Sequence, residues 1–193
     1  ALRERGVRGR RRTPVRLIAL LRGINLAGRN RLPMGDLRRL METLGHTNVT
    51  TYIQSGNVIF DAPDDGHDQI ASVVSDAIAK AHGLSVPVVI RTTRQMTRVL
   101  AAHPFRADEP DGSRVAVSFM PYAPSPEAVA RLDADRFLPD RFQVDAADIF
   151  LHFPNGQAST KMTPNYFDKR LGIYGTVRNV NTIEQLILLA GDD

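Results

Sequence analysis

The chain has 193 residues, of which 42% are hydrophobic and 24% charged, and it contains no cysteine. This composition is typical of a globular protein with one large or two small folded units. The lack of cysteine excludes disulfide scaffolds, thiolate catalysis and cysteine-built metal sites, and it suits a reducing cytoplasm. The five histidines show no metal-binding spacing, and no apolar run reaches the roughly 20 residues of a membrane span. We therefore expect a cytoplasmic protein without a metal, a cofactor or a membrane partner.

The net charge of +4 is unevenly distributed along the chain. The first twelve residues carry six arginines and one glutamate, so the remaining residues sum to −1. We predict that residues 1–14 form a disordered basic tail. Residues 13–60 carry six further arginines against two acidic residues, which predicts a positive face on the folded part.

Hydrophobic periodicity and turn residues predict six elements in the first half of the chain. Residues 15–21 are a nearly continuous apolar run, which is typical of a strand buried on both faces. The other five are a helix that begins at Pro33 and ends at Gly45, strands over 48–54 and 58–62, a helix that ends at Gly83, and a strand over 86–91. Pro87 predicts an edge position for the last strand. This order is that of a ferredoxin-like βαββαβ unit.

The second half repeats the pattern without its last strand. The predicted elements are a short helix over 94–102, a strand over 114–120, a helix over 126–136, strands over 142–146 and 148–153, and helices over 163–172 and 182–190. Thr182 and Gln185 have the spacing of a capping box for the last helix. The prediction is therefore an α+β fold, with a ferredoxin-like subdomain over 15–92 and a second, incomplete one (βαββα) with a C-terminal helix over 93–193.

Three polar segments stand out against this pattern and together resemble a known family. They are LLRGINLAGRNRLPM (20–34), LGHTNVTTYIQSGNVIF (44–60) and TVRNVNT (176–182). In this order they are similar to the uncharacterised bacterial family known as domain of unknown function 1697 (DUF1697), over roughly residues 15–190. The resemblance implies an α+β fold built on ferredoxin-like units and no agreed reaction. The chain departs from the family at three positions. The family often has glycine where Ala27 stands, an aromatic residue where His46 stands and tryptophan where Val180 stands.

The first segment has the parts of an anion site. A glycine-rich turn leads into a helix N-terminus, where backbone N–H groups and the helix dipole favour negative charge. Arg22, Arg29 and Arg31 are placed to add bidentate contacts to phosphate. The alternative is that the glycines and asparagines only satisfy the geometry of the turn.

The other two segments offer polar groups at a hairpin tip and at a helix start. Arg178 would neutralise phosphate, and Ser55, Asn57 and Asn179 would orient it, as Asn25 would in the first segment. Lys161, in a polar loop, would close over the ligand. The alternatives are a plain hairpin turn at 55–57, a helix cap at Asn179 and a structural ion pair at Arg178. The predicted ligand-binding residues are Arg22, Asn25, Arg29, Arg31, Ser55, Asn57, Lys161, Arg178 and Asn179.

These residues favour binding of nucleic acid or nucleotide phosphate over two other hypotheses. An enzyme acting on a small anionic metabolite would use the same convergent residues, but the motifs contain no obvious general base. A structural or protein-interaction module would use the motifs only to fold. No residue is predicted to be catalytic.

Overall fold

The structure is a computed structural model that describes residues 13–63 and 66–191. The predicted basic tail lies outside the described residues, apart from its last two positions. Pro14 already belongs to the first strand, so the folded part begins one residue earlier than expected.

The first four strands form one antiparallel sheet in the order β2-β3-β1-β4. The elements are β1 (Pro14–Leu21), α1 (Met34–Thr43), β2 (Thr47–Tyr52), β3 (Asn57–Pro63), α2 (His67–His82) and β4 (Val88–Thr92). The apolar run predicted as a buried strand is the central β1, and its last five residues are fully buried. The edge position predicted for β4 is confirmed.

The remaining strands form a second antiparallel sheet in the order β6-β7-β5-β8. The elements are α3 (Thr93–Ala102), β5 (Val115–Phe119), α4 (Pro126–Ala130), β6 (Arg141–Asp145), β7 (Asp148–His152), α5 (Pro164–Leu171), β8 (Thr176–Asn179) and α6 (Val180–Ala190), with a short 3-10 turn at Gln157–Ser159 before α5. The fold is thus α+β, with two four-stranded antiparallel sheets.

Three details of the second half differ from the prediction. The expectation that the second half lacks its last strand is wrong, because β8 lies between α5 and α6 and pairs with β5. Its four residues, TVRN, are too few and too polar to give a hydrophobic signal. Helix α6 begins at Val180 and is capped by Asn179, whose Oδ1 accepts from the Thr182 N–H at 2.8 Å, so Thr182 is not the cap. Helix α4 ends at Ala130, well short of the predicted end at 136.

The buried apolar residues form three clusters, each of which contains residues from one or both sheets and from the helices packed on them. Successive residues of β1 point to opposite faces, so Leu17, Ala19 and Leu21 join a cluster with α1 and α2, while Ile18 and Leu20 join a second one. The second cluster also contains residues of α3, β5, β7 and α6, so it is shared by both halves of the chain. The third lies between the second sheet and helices α4 and α5. Both faces of the central strands are therefore covered.

Among the described residues, no helix is long and apolar enough to cross a membrane.

Candidate functional site

Arg178 lies at the centre of a buried polar cluster in which the three segments meet. It belongs to β8, and the residue is only 8% exposed. Six residues each provide an oxygen that accepts a hydrogen bond from its guanidinium: Leu21, Ser55, Gly56, Asn57, Thr176 and Val177. All three guanidinium nitrogens are therefore engaged, and the side chain connects the end of β1, the β2–β3 turn and β8.

The acceptors around Arg178 are carbonyl, amide and hydroxyl oxygens rather than carboxylates. Burial without a counter-ion lowers the pKa of Arg178 to about 10, so the side chain stays positively charged at neutral pH. The structural ion pair considered as an alternative for Arg178 is absent within residues 13–63 and 66–191, and neutral dipoles take its place.

Asn57 and Gly56 shape the turn that delivers these acceptors. Asn57 is fully buried, and its Nδ2 donates to the Tyr52 carbonyl and to Ser55 Oγ, both at 3.0 Å. Gly56 has φ +81°, and a Cβ built on it would lie 2.7 Å from the Leu21 Cβ. Its carbonyl also accepts from the Leu21 N–H at 2.8 Å. A glycine is therefore required where the turn meets the end of β1.

Arg22 connects the first segment to α5. Its guanidinium holds both carboxylate oxygens of Asp168, with Nη1 2.9 Å from Oδ1, and donates to the Gly175 carbonyl at 2.7 Å. The same group lies over the ring of Tyr174, 5.4 Å from its centroid. The side chains of Arg22 and Asp168 are 21% and 10% exposed, which makes this a partly buried, bidentate pair.

The asparagines of the first segment hold the loop between β1 and α1 in shape. Asn25 Nδ2 donates to the carbonyls of Leu32 and Gln54, at 2.9 and 2.8 Å, and its Oδ1 accepts from the Leu32 N–H. Asn30 Nδ2 donates to the Gly23 carbonyl. Both asparagines have positive φ, near +50°, which asparagine tolerates better than most residues. The turn-building alternative thus accounts for both side chains.

The remaining predicted cations are at the surface. Arg29, Arg31 and Lys161 are exposed. Within residues 13–63 and 66–191, none of the three has an ion pair. Arg29 and Arg31 flank Asn30 on the fixed loop, whereas Lys161 lies between the 3-10 turn and α5. Ser55 is also exposed, and its hydroxyl oxygen accepts from Asn57.

Most of the sequence matches the model of one protein family. The model of "Protein of unknown function (DUF1697)" matches residues 15–150. The chain belongs to the DUF1697 family. The match includes the first two segments, whereas Lys161, Arg178 and Asn179 lie beyond it.

A solved structure shows the same fold. This DUF1697 chain is similar to a conserved bacterial protein from Streptococcus pneumoniae, with a TM-score of 0.68 and 19% sequence identity. The alignment covers 93% of this chain and 100% of that chain. At this identity the likeness establishes the fold alone. A search of curated proteins found no match.

Six of the nine predicted site residues of this DUF1697 protein have side-chain hydrogen bonds within the fold: Arg22, Asn25, Ser55, Asn57, Arg178 and Asn179. Segments distant in sequence do come together around Arg178, with Ser55, Asn57 and, through Gln54, Asn25. Arg29, Arg31 and Lys161 have no hydrogen bond to that cluster in the described part of the chain.

Sequence reasoning missed Asp168, the carboxylate that holds Arg22. It lies 146 residues away in α5, and no local spacing signals such a pair. Val180, where the family often has tryptophan, is 2% exposed and belongs to the second core cluster. In this protein the position is therefore part of the core. In the described ranges, no three His, Asp or Glu side chains lie close enough to hold a metal ion.

Proposed function

We propose that this DUF1697 protein binds the phosphate groups of nucleic acid or of a nucleotide, and that Arg29 and Arg31 make the main contacts. The observation that carries the proposal is the exposure of both arginines on a loop whose shape is fixed by Asn25 and Asn30. A loop that is already ordered loses little conformational entropy when it binds. A guanidinium can also contact a phosphate through two parallel hydrogen bonds.

The proposal gives the predicted residues two different roles. Lys161 and the Ser55 hydroxyl, which are also exposed, would add contacts to phosphate. The others would hold the segments in place, because their polar atoms already have internal partners: Arg22, Asn25, Asn57, Arg178 and Asn179.

We also propose that the two sheets are ferredoxin-like units that span residues 15–92 and 93–193. The equivalent strand orders β2-β3-β1-β4 and β6-β7-β5-β8 support this. RNA-binding modules of that architecture stack bases on an exposed sheet face. Here β1 and β5 each contribute to core clusters on both faces of their sheets. We therefore assign binding to the loop and not to a sheet face.

Fluorescence anisotropy with a labelled single-stranded RNA, titrated at several salt concentrations, tests the proposal. The wild-type chain is compared with the double variant R29A/R31A. Each phosphate contact on a single strand contributes about 0.7 to the slope of log affinity against log salt. We expect the double variant to bind more weakly and its slope to be smaller by about 1.4.

The matched control is R94A/R131A. It removes the same charge from two exposed arginines that lie elsewhere, in α3 and just after α4. Both variants keep the first twelve residues, so any binding by that basic segment cancels in the comparison. Equal loss of affinity in the two variants, or no binding by the wild type at low salt, would refute the proposal.

A structural or protein-interaction role is the second candidate, and the surroundings of Arg178 favour it. The guanidinium is used to connect three backbone segments and is buried. The enzyme hypothesis gains no support from Arg22 or Arg178, because internal acceptors already engage the guanidinium donors that a substrate would need. A failed RNA titration combined with a large loss of stability on replacing Arg178 would favour the structural role.

A further inference from the structure

A cavity of about 400 Å³ lies between helix α3 and the β6–β7 turn, away from the loop of the proposed function. Helix α3 lines it with Gln95, Arg98, Val99 and Ala102, which occupy positions i, i+3, i+4 and i+7 and therefore share one helix face. The opposite wall is formed by residues 145–148. The volume falls in the range of roughly 300–1,000 Å³ that is usual for small-molecule sites.

A buried arginine lies at one end of the cavity. Arg91 is buried and donates to the Met120 carbonyl at 2.7 Å and to Asp148 Oδ1 at 3.1 Å. Its guanidinium also lies over the ring of Phe119, 5.6 Å from the centroid. Through these contacts, Arg91 connects the β6–β7 turn to the end of β5. Asp148 Oδ2 accepts no hydrogen bond from the part of the chain that the structure describes, and burial raises the pKa of this carboxyl group.

Two opposite charges along the cavity have no ion pair within the described ranges. Arg98 and Asp145 are both exposed and both line the space. Gln95 uses its Oε1 to accept from the Thr92 N–H in the capping box of α3, which leaves its NH₂ group as a further donor. Val99 and Phe150 add apolar surface. The cavity therefore offers cationic donors, carboxylate acceptors and an apolar wall.

We propose that this cavity binds a free α-amino acid with an apolar side chain. The carboxylate of the ligand would pair with Arg98, its ammonium group with Asp145 and Asp148, and its side chain would contact Val99 and Phe150. A ligand with a single charge would leave one of the two partners unmatched, whereas a zwitterion satisfies both. The proposal uses none of the residues of the phosphate-binding loop, so either one can fail without the other.

The test is a titration of the ¹⁵N-labelled full chain, followed by two-dimensional ¹H–¹⁵N NMR, with phenylalanine, leucine and methionine as probes. N-acetyl-phenylalanine and phenylalaninamide serve as analogues that lack the ammonium or the carboxylate charge. We expect the amino acids to shift amide signals of residues 95–102 and 145–148. We expect each analogue to bind at least tenfold more weakly than phenylalanine.

Two exposed positions allow variants that keep the fold, which the same spectra verify. Arg98→Gln should weaken phenylalanine at least tenfold and leave phenylalaninamide unchanged, and Asp145→Asn should weaken phenylalanine but not N-acetyl-phenylalanine. Arg94→Gln, one turn earlier on α3 and outside the cavity lining, should change nothing. The proposal is overturned if none of the three amino acids shifts these signals, if the analogues bind as well as phenylalanine, or if Arg98→Gln behaves like Arg94→Gln.

Discussion

Replacing Arg178 by methionine tests whether the buried cluster stabilises the fold. The substitution keeps much of the side-chain volume but removes the guanidinium, from which Leu21, Ser55, Gly56 and Asn57 each accept a hydrogen bond. Leu21 and Asn57 are fully buried, so water does not readily replace the lost guanidinium there. The Ser55 carbonyl belongs to an exposed residue and can be hydrated.

The magnitude follows from the acceptors that stay buried. A buried acceptor left without a donor costs about 1–3 kcal/mol. The Leu21 carbonyl would still accept a long hydrogen bond from Thr176 Oγ1 at 3.4 Å, so this carbonyl would lose only part of its hydrogen bonding. Relief of the cost of burying a charge offsets some of the remainder. We expect the free energy of unfolding to fall by about 2–4 kcal/mol, a large share of the roughly 5–15 kcal/mol of a typical domain.

Urea denaturation followed by circular dichroism measures this loss. Arg178→Lys should lose nearly as much as Arg178→Met, because one ammonium group cannot reach acceptors in three segments at once. Arg131→Met, at an exposed position, is the control and should change stability by less than about 0.5 kcal/mol. A loss below about 1 kcal/mol for Arg178→Met would show that the cluster does not stabilise the fold, and the reasoning would be refuted.

Three further predictions concern the surrounding structure. Gly56→Ala should reduce the free energy of unfolding by about 1–3 kcal/mol more than Gly45→Ala does, and its thermal midpoint should be correspondingly lower. Both glycines have positive φ, but of the two only Gly56 lacks room for a Cβ. Asp168→Asn should cost about 1–3 kcal/mol in urea denaturation, because it leaves the partly buried Arg22 without its counter-ion. Burial lowers the pKa of His103, which is buried and bonded to a backbone carbonyl. As the pH falls, the His103 ring is therefore protonated in the unfolded chain before it is protonated in the folded one. Its contribution to stability is complete above the unfolded pKa of about 6.5 and falls as the pH drops below that value.

Each of these has an outcome that contradicts it. Equal midpoints for the two glycine variants would mean that the turn can move away from β1. For Asp168, the control is Asp108→Asn, an exposed aspartate without an ion pair in the described part of the chain; equal losses would show that the pair with Arg22 contributes nothing. An NMR titration of the His103 ring with a midpoint at or above 6.5 would exclude its part in acid destabilisation.

The elements with a strong local signal were predicted well. The apolar run of β1 and the αL glycines Gly83 and Gly172 that end α2 and α5 are local features, and the structure confirms them. β8 was missed because a four-residue polar strand exists only through its pairing with β5. Its register places Arg178 opposite Val117, which local propensity cannot foresee.

The sequence by itself determined which segments are polar, where the turns lie and that the chain carries the DUF1697 motifs. These are properties of neighbouring residues, and hydrophobic periodicity and backbone sterics act over short distances along the chain. Only the tertiary structure decided which arginines are used internally and which are exposed. Arg22 and Arg29 belong to the same loop, yet one pairs with a carboxylate 146 residues away and the other has no ion pair within residues 13–63 and 66–191. The partner of a buried charge is fixed by how sheets and helices pack, because a desolvated cation needs acceptors from whichever segments surround it.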